Sequence, residues 1–264
     1  LKFIINVDGI DGVGKSTICK NAVNELRKEF KDYDVIYTHY PNYDISTGEY
    51  ISDMLHDKDL LNMDPYKRAL PFIVNRLENV STNILPYLDD TDTEIYIFDR
   101  SYNSNILYTS ASLLDKYKLE LPLLEEDLVS FSYKSELSEF IDIEYRSELL
   151  DSDFYDREDA RIYNIFLTYE DKSLLGIALN DREEEKDTYE NNLDYLYKVD
   201  GSVNIINNHI MHVGIDKCED YYKYFYMNTI NVTYGKDELY EKAIKRNNTL
   251  VMYNIYKFIY DNLK

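Results

Sequence analysis

The chain has 264 residues and carries 50 Asp and Glu against 29 Lys and Arg, a formal net charge of −21. That balance argues against a nucleic acid or an anionic membrane as partner, because both require a basic face. The length suits one α/β domain with insertions, no apolar run approaches membrane-spanning length, and two cysteines, Cys19 and Cys218, are too few for a disulfide framework.

Residues 3–7, Phe-Ile-Ile-Asn-Val, form a short apolar β-type run, and the expectation from it is a chain without a signal peptide. It leads into Gly9-Ile10-Asp11-Gly12-Val13-Gly14-Lys15-Ser16-Thr17, which fits G-x-x-x-x-G-K-[ST]; Ile18, Ala22, Val23 and Leu26 then recur at helical spacing. Strand, glycine loop and helix together make a phosphate-binding unit. Gly9, Gly12 and Gly14 let backbone N–H groups turn inward around a phosphate. Lys15 is expected to reach the β- and γ-phosphates of ATP, with the Ser16 hydroxyl on Mg²⁺ and Thr17 beside it.

Residues 34–39 read as a second strand, stopped by Pro41, and 48–61 as a helix. Pro65 opens a longer helix whose apolar stripe is Leu70, Ile73, Val74, Leu77, Val80, Ile84 and Leu85. Residues 94–98 form a buried-type strand ending in Asp99-Arg100, and the following helix carries Ile106, Leu107 and Leu113. The stretch 112–160 is acidic and tyrosine-rich and reads as an insertion on the core domain, with helices over 119–131 and 137–145. Residues 162–167 return to strand character, 172–179 to helix, 193–199 to helix, 229–233 to a last strand and 250–263 to a C-terminal helix. A second irregular stretch covers 209–226. Strands alternating with helices predict an α/β fold, a three-layer P-loop NTPase domain over 1–264 with a central parallel sheet flanked by helices, plus helical insertions.

Several further motifs lie in register with the glycine loop. Tyr40-Pro41 precedes Gly48-Glu49, Phe72 and Arg76 form F-x-x-x-R, and Asp99-Arg100 continues to Ser104, Asn105 and Tyr108 as D-R-x-x-x-S-N-x-x-Y. Together with Asp11 inside the loop, this set resembles the thymidylate kinase family. The resemblance spans most of 3–110, thins over about 160–200 and returns in the last strand and helix. It implies transfer of the ATP γ-phosphate to dTMP, giving dTDP and ADP, by a homodimer that uses ATP and Mg²⁺. On this likeness Asp99 stands near Mg²⁺ through water and Arg100 holds the acceptor monophosphate. Asp11 turns to the sugar 3′-hydroxyl. Phe72 stacks on the base, Arg76 donates to a pyrimidine carbonyl, Asn105 completes the base edge and Tyr108 crowds the sugar 2′ position. Each residue also has a plainer reading: Asp99-Arg100 as a strand-end salt bridge, Phe72 as core, and Asn105 and Tyr108 as polar residues on an amphipathic helix.

The chain departs from the family pattern in places. His39 stands where an Arg is usual two positions before Pro41, Gly12 occupies the loop position that carries Arg in eukaryotic members, and Thr188 replaces the lid Arg before Tyr189. Within a lid over 179–190, Arg182 is the candidate for the transition-state charge, with Lys186 nearby; Arg146, Arg157 and Arg161 are alternatives, and an ordinary exposed charged loop is another. Three rivals follow: a deoxynucleoside kinase using Asp8 as base, a kinase of another or modified deoxynucleotide, and a regulator without turnover. The acidic runs 125–127 and 183–185, and His209 with His212, read as structural rather than metal-binding. The 28 tyrosines and absent tryptophan look like an AT-rich coding sequence, compatible with a phage or low-GC bacterium; the two cysteines point to a reducing compartment and so to a cytoplasmic protein, of the bacterial host if phage-encoded.

Overall fold

A computed structural model describes residues 1–88, 93–119, 136, 137, 139, 140, 143, 144, 159–169, 187–209, 225–232 and 240–263. Five strands form one sheet: β1 (Lys2–Gly9), β2 (Asp34–His39), β3 (Glu94–Asp99), β4 (Ala160–Tyr169) and β5 (Phe225–Val232). Their order is β2-β3-β1-β4-β5 and all four pairings are parallel. Among the described residues six α-helices have both ends defined: α1 (Lys15–Glu29), α2 (Ser46–Leu55), α3 (Pro65–Asn79), α4 (Tyr102–Lys116), α5 (Leu193–His209) and α6 (Tyr240–Asn262). Every residue of β1 and β3 is buried, as expected for central strands covered on both faces. Phe3, Ile5, Val7, Ile95 and Ile97 join Ile18, Ala22 and Leu26 of α1 and Ile255, Phe258 and Ile259 of α6 in the main core.

The register brings chemistry to one sheet edge. Val7 pairs with Asp99, and His39 pairs with Asp99 from the other side, so the carboxyl ends of β1, β2 and β3 are level. In open α/β sheets ligands bind outside this edge, where neighbouring connections diverge.

Where the residues are described, the expected strands and helices appear, with shifted bounds. The helix placed at 48–61 ends at Leu55, α5 extends to His209, and α6 begins at Tyr240 rather than 250. Residue 112, placed at the start of the insertion, lies within α4, which continues to Lys116. The helices expected over 119–131 and 172–179, and most of that over 137–145, lie outside the described residues, as does Cys218. Among the described residues no helix is long and apolar enough to cross a membrane.

The apolar stripe of α3 needs correction. Ile73, Val80 and Ile84 are buried, but Leu70 is 57% and Val74 46% exposed, while Arg68, Asn75, Arg76 and Asn79 are buried. The stripe predicted from hydropathy was drawn by apolar residues alone, whereas the inward face of this helix is largely polar. Asn75 and Asn79 explain part of it. Asn75 accepts from the Asn42 backbone N–H (2.7 Å) and donates to the Asn42 carbonyl (2.9 Å) and the Thr47 hydroxyl (2.8 Å). Asn79 accepts from the Asn42 side chain (2.7 Å) and donates to the Tyr40 hydroxyl (3.0 Å). The Asn75 bonds satisfy the backbone N–H and carbonyl of Asn42 in the loop after β2, and the Asn79 bonds hold polar side chains there, which buried apolar residues could not do.

Candidate active site

The glycine loop begins where β1 ends. A Cβ on Gly9 would stand 2.4 Å from the Leu167 carbonyl oxygen of β4, so only glycine lets the chain turn there. Gly12 and Gly14 both have φ 86°, and Gly14 precedes the first residue of α1. An Arg at position 12 would be strained in that conformation. Lys15 is buried and donates to the Ile10 carbonyl at 2.6 Å, while Ser16 and Thr17 are exposed in the first turn of α1.

Asp11 collects the charged groups of the loop and of β3. Its carboxylate pairs with Arg100, lies 3.8 Å from the Lys15 ammonium and accepts from the Tyr108 hydroxyl at 2.5 Å. Arg100 has φ 74°, an uncommon conformation for a residue with a side chain. Its N–H donates to the Val7 carbonyl at 2.9 Å, and its guanidinium lies 5.9 Å from the Tyr108 ring centre. Burial pushes the Tyr108 phenol up, with Arg100 opposing. Phosphate-binding loop, acceptor-phosphate candidate and sugar candidate thus meet around one carboxylate.

Asp99 ends β3 with one oxygen accepting from the Tyr37 hydroxyl (3.2 Å) and the other buried without a hydrogen-bond partner. Burial and the Asp99 charge together push the Tyr37 phenol up. A buried carboxylate oxygen lacking a donor suits hydrated Mg²⁺, a hard cation that keeps its waters. Together with the exposed Ser16 hydroxyl, the residues present fit MgATP.

Asp8 and Ser104 have other duties. The fully buried Asp8 carboxylate accepts from the Ser101 N–H (2.8 Å) and hydroxyl (2.7 Å), from the Ser104 N–H (3.1 Å) and hydroxyl (2.7 Å), and from Asn103 (3.4 Å). It therefore caps the N-terminus of α4, where a negative charge also meets the favourable end of the helix dipole. Ser104, expected at the substrate, gives both its hydroxyl and its N–H to this cap. The same bonds oppose Asp8 as a catalytic base.

Arg76 and Asn105, both expected at the base, meet through a partner that sequence reasoning missed. Arg76 of α3 pairs with Glu144, and the Asn105 amide of α4 donates both to Glu144 and to the Ala69 carbonyl (3.1 Å). Glu144 is 0% exposed, Arg76 5% and Asn105 7%. Phe72 is partly buried against the core, one turn before Arg76. Nothing in the sequence singles out Glu144 from the other acids of that stretch.

The segment after residue 186 also reaches the site. Thr188 donates through its N–H to the Leu55 carbonyl and through its hydroxyl to the Asp57 carbonyl, both at 2.9 Å, anchoring the segment to the end of α2. Tyr189 packs on Tyr108 and Tyr195, with ring centres 5.0 and 5.2 Å apart. Burial pushes Tyr195 up to about 12, opposed by Arg68, a buried α3 residue that sequence reasoning passed over. Burial also raises the Asp187 carboxyl, against the lowering effects of the Glu190 N–H and of Arg100. Arg182, Lys186, Arg146 and Arg157 lie outside the described residues; Arg161 sits at the opposite end of β4 and donates to the Ala160 carbonyl.

A parallel sheet with a glycine loop leading from β1 into α1, and with a carboxylate and an arginine at the end of β3, defines a P-loop nucleotide-binding protein. A family model described as thymidylate kinase matches residues 7–149, more than half of the chain. The chain belongs to the thymidylate kinase family.

Curated relatives include the thymidylate kinase of Mesoplasma florum, 34% identical over 104 residues, covering 39% of this chain and 47% of that one. That of Mycoplasma mobile is 33% identical over 105 residues, 39% and 49% of the two chains. The match therefore spans about half the length of these relatives. Among solved structures, the thymidylate kinase from Ehrlichia chaffeensis superposes over 96% of this chain and 98% of its own with a TM-score of 0.52 and 15% identity, a likeness of fold.

Proposed function

We propose that this protein is a nucleoside monophosphate kinase that transfers the γ-phosphoryl group of MgATP to dTMP, giving dTDP and ADP. The single observation that carries the reading is the convergence of Lys15 and Arg100 on Asp11. One cation belongs to the ATP loop and the other to the strand end that faces an acceptor, so donor and acceptor phosphates are brought together in one place. Phosphoryl transfer is catalysed mainly by such positioning and by charge stabilisation. In the transfer a dTMP phosphate oxygen bonds to the γ-phosphorus as its bond to the ADP oxygen breaks. Lys15 neutralises the β- and γ-phosphates and Arg100 aligns the acceptor phosphate. Gly9, Gly12, Gly14, Lys15, Ser16 and Thr17 hold ATP; Ser16 and Asp99 would hold Mg²⁺, which would supply positive charge to offset that of the phosphates. Asp11 and Tyr108 border the sugar, and Phe72, Arg76 and Asn105 border the base.

In this reading the 179–190 segment is a lid that excludes water, and Arg182 supplies transition-state charge from it. The domain is single, with insertions over 112–160 and 209–226. The exposed Leu70 and Val74 on α3 support a homodimer through the helices that flank the sheet. Family membership supports a cytoplasmic setting. A nucleoside acceptor is disfavoured, since it would need neither Arg100 nor a capped Asp8.

The test is ADP release from MgATP with dTMP, dUMP, dCMP, dGMP, dAMP, 5-hydroxymethyl-dUMP, thymidine and deoxycytidine, with Lys15→Ala as the blank. Turnover is expected on dTMP and close 5-substituted analogues. Turnover on nucleosides alone, or on no acceptor, overturns the reading.

A further inference from the structure

Side chains from α3, α5 and the segment before α5 converge on Tyr108. Asn192 caps α5, its side-chain oxygen accepting from the Tyr195 N–H at 3.0 Å, which sets Tyr195 in the first turn of that helix. From there the Tyr195 hydroxyl donates to the Tyr108 carbonyl of α4 at 2.7 Å. The Ser112 hydroxyl donates to the same carbonyl at 2.8 Å and lies 2.7 Å from the Tyr195 hydroxyl. The Tyr189 ring lies nearly parallel to Tyr195, at 10° and 5.2 Å, and 5.0 Å from the Tyr108 ring. Arg68, Ser112, Tyr189 and Tyr195 are each at most 5% exposed. Tyr108 is only partly buried, and its hydroxyl rests on Asp11, the carboxylate that also pairs with Arg100.

The direction of these bonds is fixed by a proton count. The Arg68 guanidinium bonds to the Tyr189 and Tyr195 hydroxyls and can only donate, so the single proton of Tyr195 is left for α4. A carbonyl inside a helix is already served by the N–H four residues on, so Tyr108 does not need the phenol to satisfy its backbone. What the phenol adds is a fixed place for Tyr108 relative to α5.

We propose that Tyr195 is a positioning residue for the acceptor nucleotide: held by Asn192 and Arg68, it fixes Tyr108 so that the Tyr108 hydroxyl stays on Asp11 beside the bound sugar. This rests on the nucleoside monophosphate kinase reading above. The plainer role is the packing of α5 on α4, which would support the fold and leave acceptor affinity alone.

The values of kcat and of KM for dTMP and MgATP are measured for the wild-type protein, Tyr195→Phe, Tyr108→Phe and the double variant. Phe at 195 keeps the ring on Tyr189 and removes only the hydroxyl. Tyr195→Phe should raise the KM for dTMP about fivefold, the scale of one hydrogen bond, with kcat and the KM for ATP changed less than about twofold. Tyr108→Phe should raise the KM for dTMP about tenfold. Because Tyr195 acts through the Tyr108 hydroxyl, the double variant should match Tyr108→Phe to within about twofold, where independent effects would multiply to roughly fiftyfold. A fully multiplied loss overturns the proposal. So does a KM for dTMP in Tyr195→Phe that equals the wild-type value, which leaves Tyr195 a packing residue, and so does an equal rise in both KM values. Should Tyr195→Phe fail to fold, Ser112→Ala decides. It should raise the KM for dTMP about threefold in the wild-type background and not in Tyr108→Phe, and an unchanged KM overturns the proposal. Absence of turnover in the wild-type protein defeats the kinase reading and the proposal with it, a result distinct from turnover with multiplied losses.

Discussion

At the phosphate end of the cleft, Asp11, Lys15, Asp99 and Arg100 stand at the ends of two adjacent strands, and their positions follow from backbone register. At the base end, Phe72, Arg76 and Asn105 stand on two helices, and the group that fixes Arg76 and Asn105, Glu144, arrives from the stretch between α4 and β4. The first end is set by short-range geometry: a glycine loop and a residue held at positive φ. The second depends on long-range packing of side chains. On the proposed reading, chemistry common to all nucleotides is thus built into the sheet, and chemistry that distinguishes bases is assembled across separate elements.

The sharpest way to isolate the phosphate end is Lys15→Ala. Turnover should fall by on the order of 10³-fold or more, about 4 kcal/mol of transition-state stabilisation, with an unaltered circular dichroism spectrum. A loss smaller than tenfold would move the essential cation elsewhere. Asp8→Ala attacks the support beneath that end. It removes the acceptor for the N–H and hydroxyl groups of Ser101 and Ser104, all buried, and should cost about 3 kcal/mol in urea denaturation. A cost under about 1 kcal/mol would mean that water replaces the carboxylate readily. Arg100→Lys keeps the charge but loses the planar fork. The KM for dTMP should rise roughly 30-fold, about 2 kcal/mol, with the KM for ATP little changed. An equal rise for both would place Arg100 between the substrates rather than on the acceptor.

The same contrast governs what was legible in the sequence. The glycine loop, the Asp99-Arg100 strand end and the alternation of strands and helices were readable because each depends on residues adjacent in the chain. The inward face of α3 was not. Hydropathy chose Leu70 and Val74, which are exposed, over Arg68, Asn75 and Asn79, which are buried by partners distant in the chain. The motif that holds Ser104 gives no sign of its bond to Asp8, because that partner stands 96 residues earlier in the chain. Glu144 carried no signal at all, since one acid among many acquires meaning only when a buried guanidinium is found beside it.

The smallest effect concerns Asp187, which the far half of the chain contributes to the phosphate end. Burial raises its carboxyl above the ordinary value of 3.8, with the Arg100 charge opposing. The folded state therefore holds this proton more tightly than the unfolded chain. The resulting stability is complete below the ordinary carboxylate range and is lost as pH rises through the raised value. Asn at this position can still accept the Glu190 N–H, which reaches the Asp187 carboxylate at 2.8 Å, and carries no charge to desolvate. Asp187→Asn should then melt with the wild-type protein at acid pH and be more stable by up to about 1 kcal/mol near neutrality. Melting curves across that pH range check the sign. A variant that is less stable at neutral pH would show that attraction to Arg100 outweighs the cost of burial, making Asp187 a partner of the acceptor-phosphate cation rather than a strained neighbour of it.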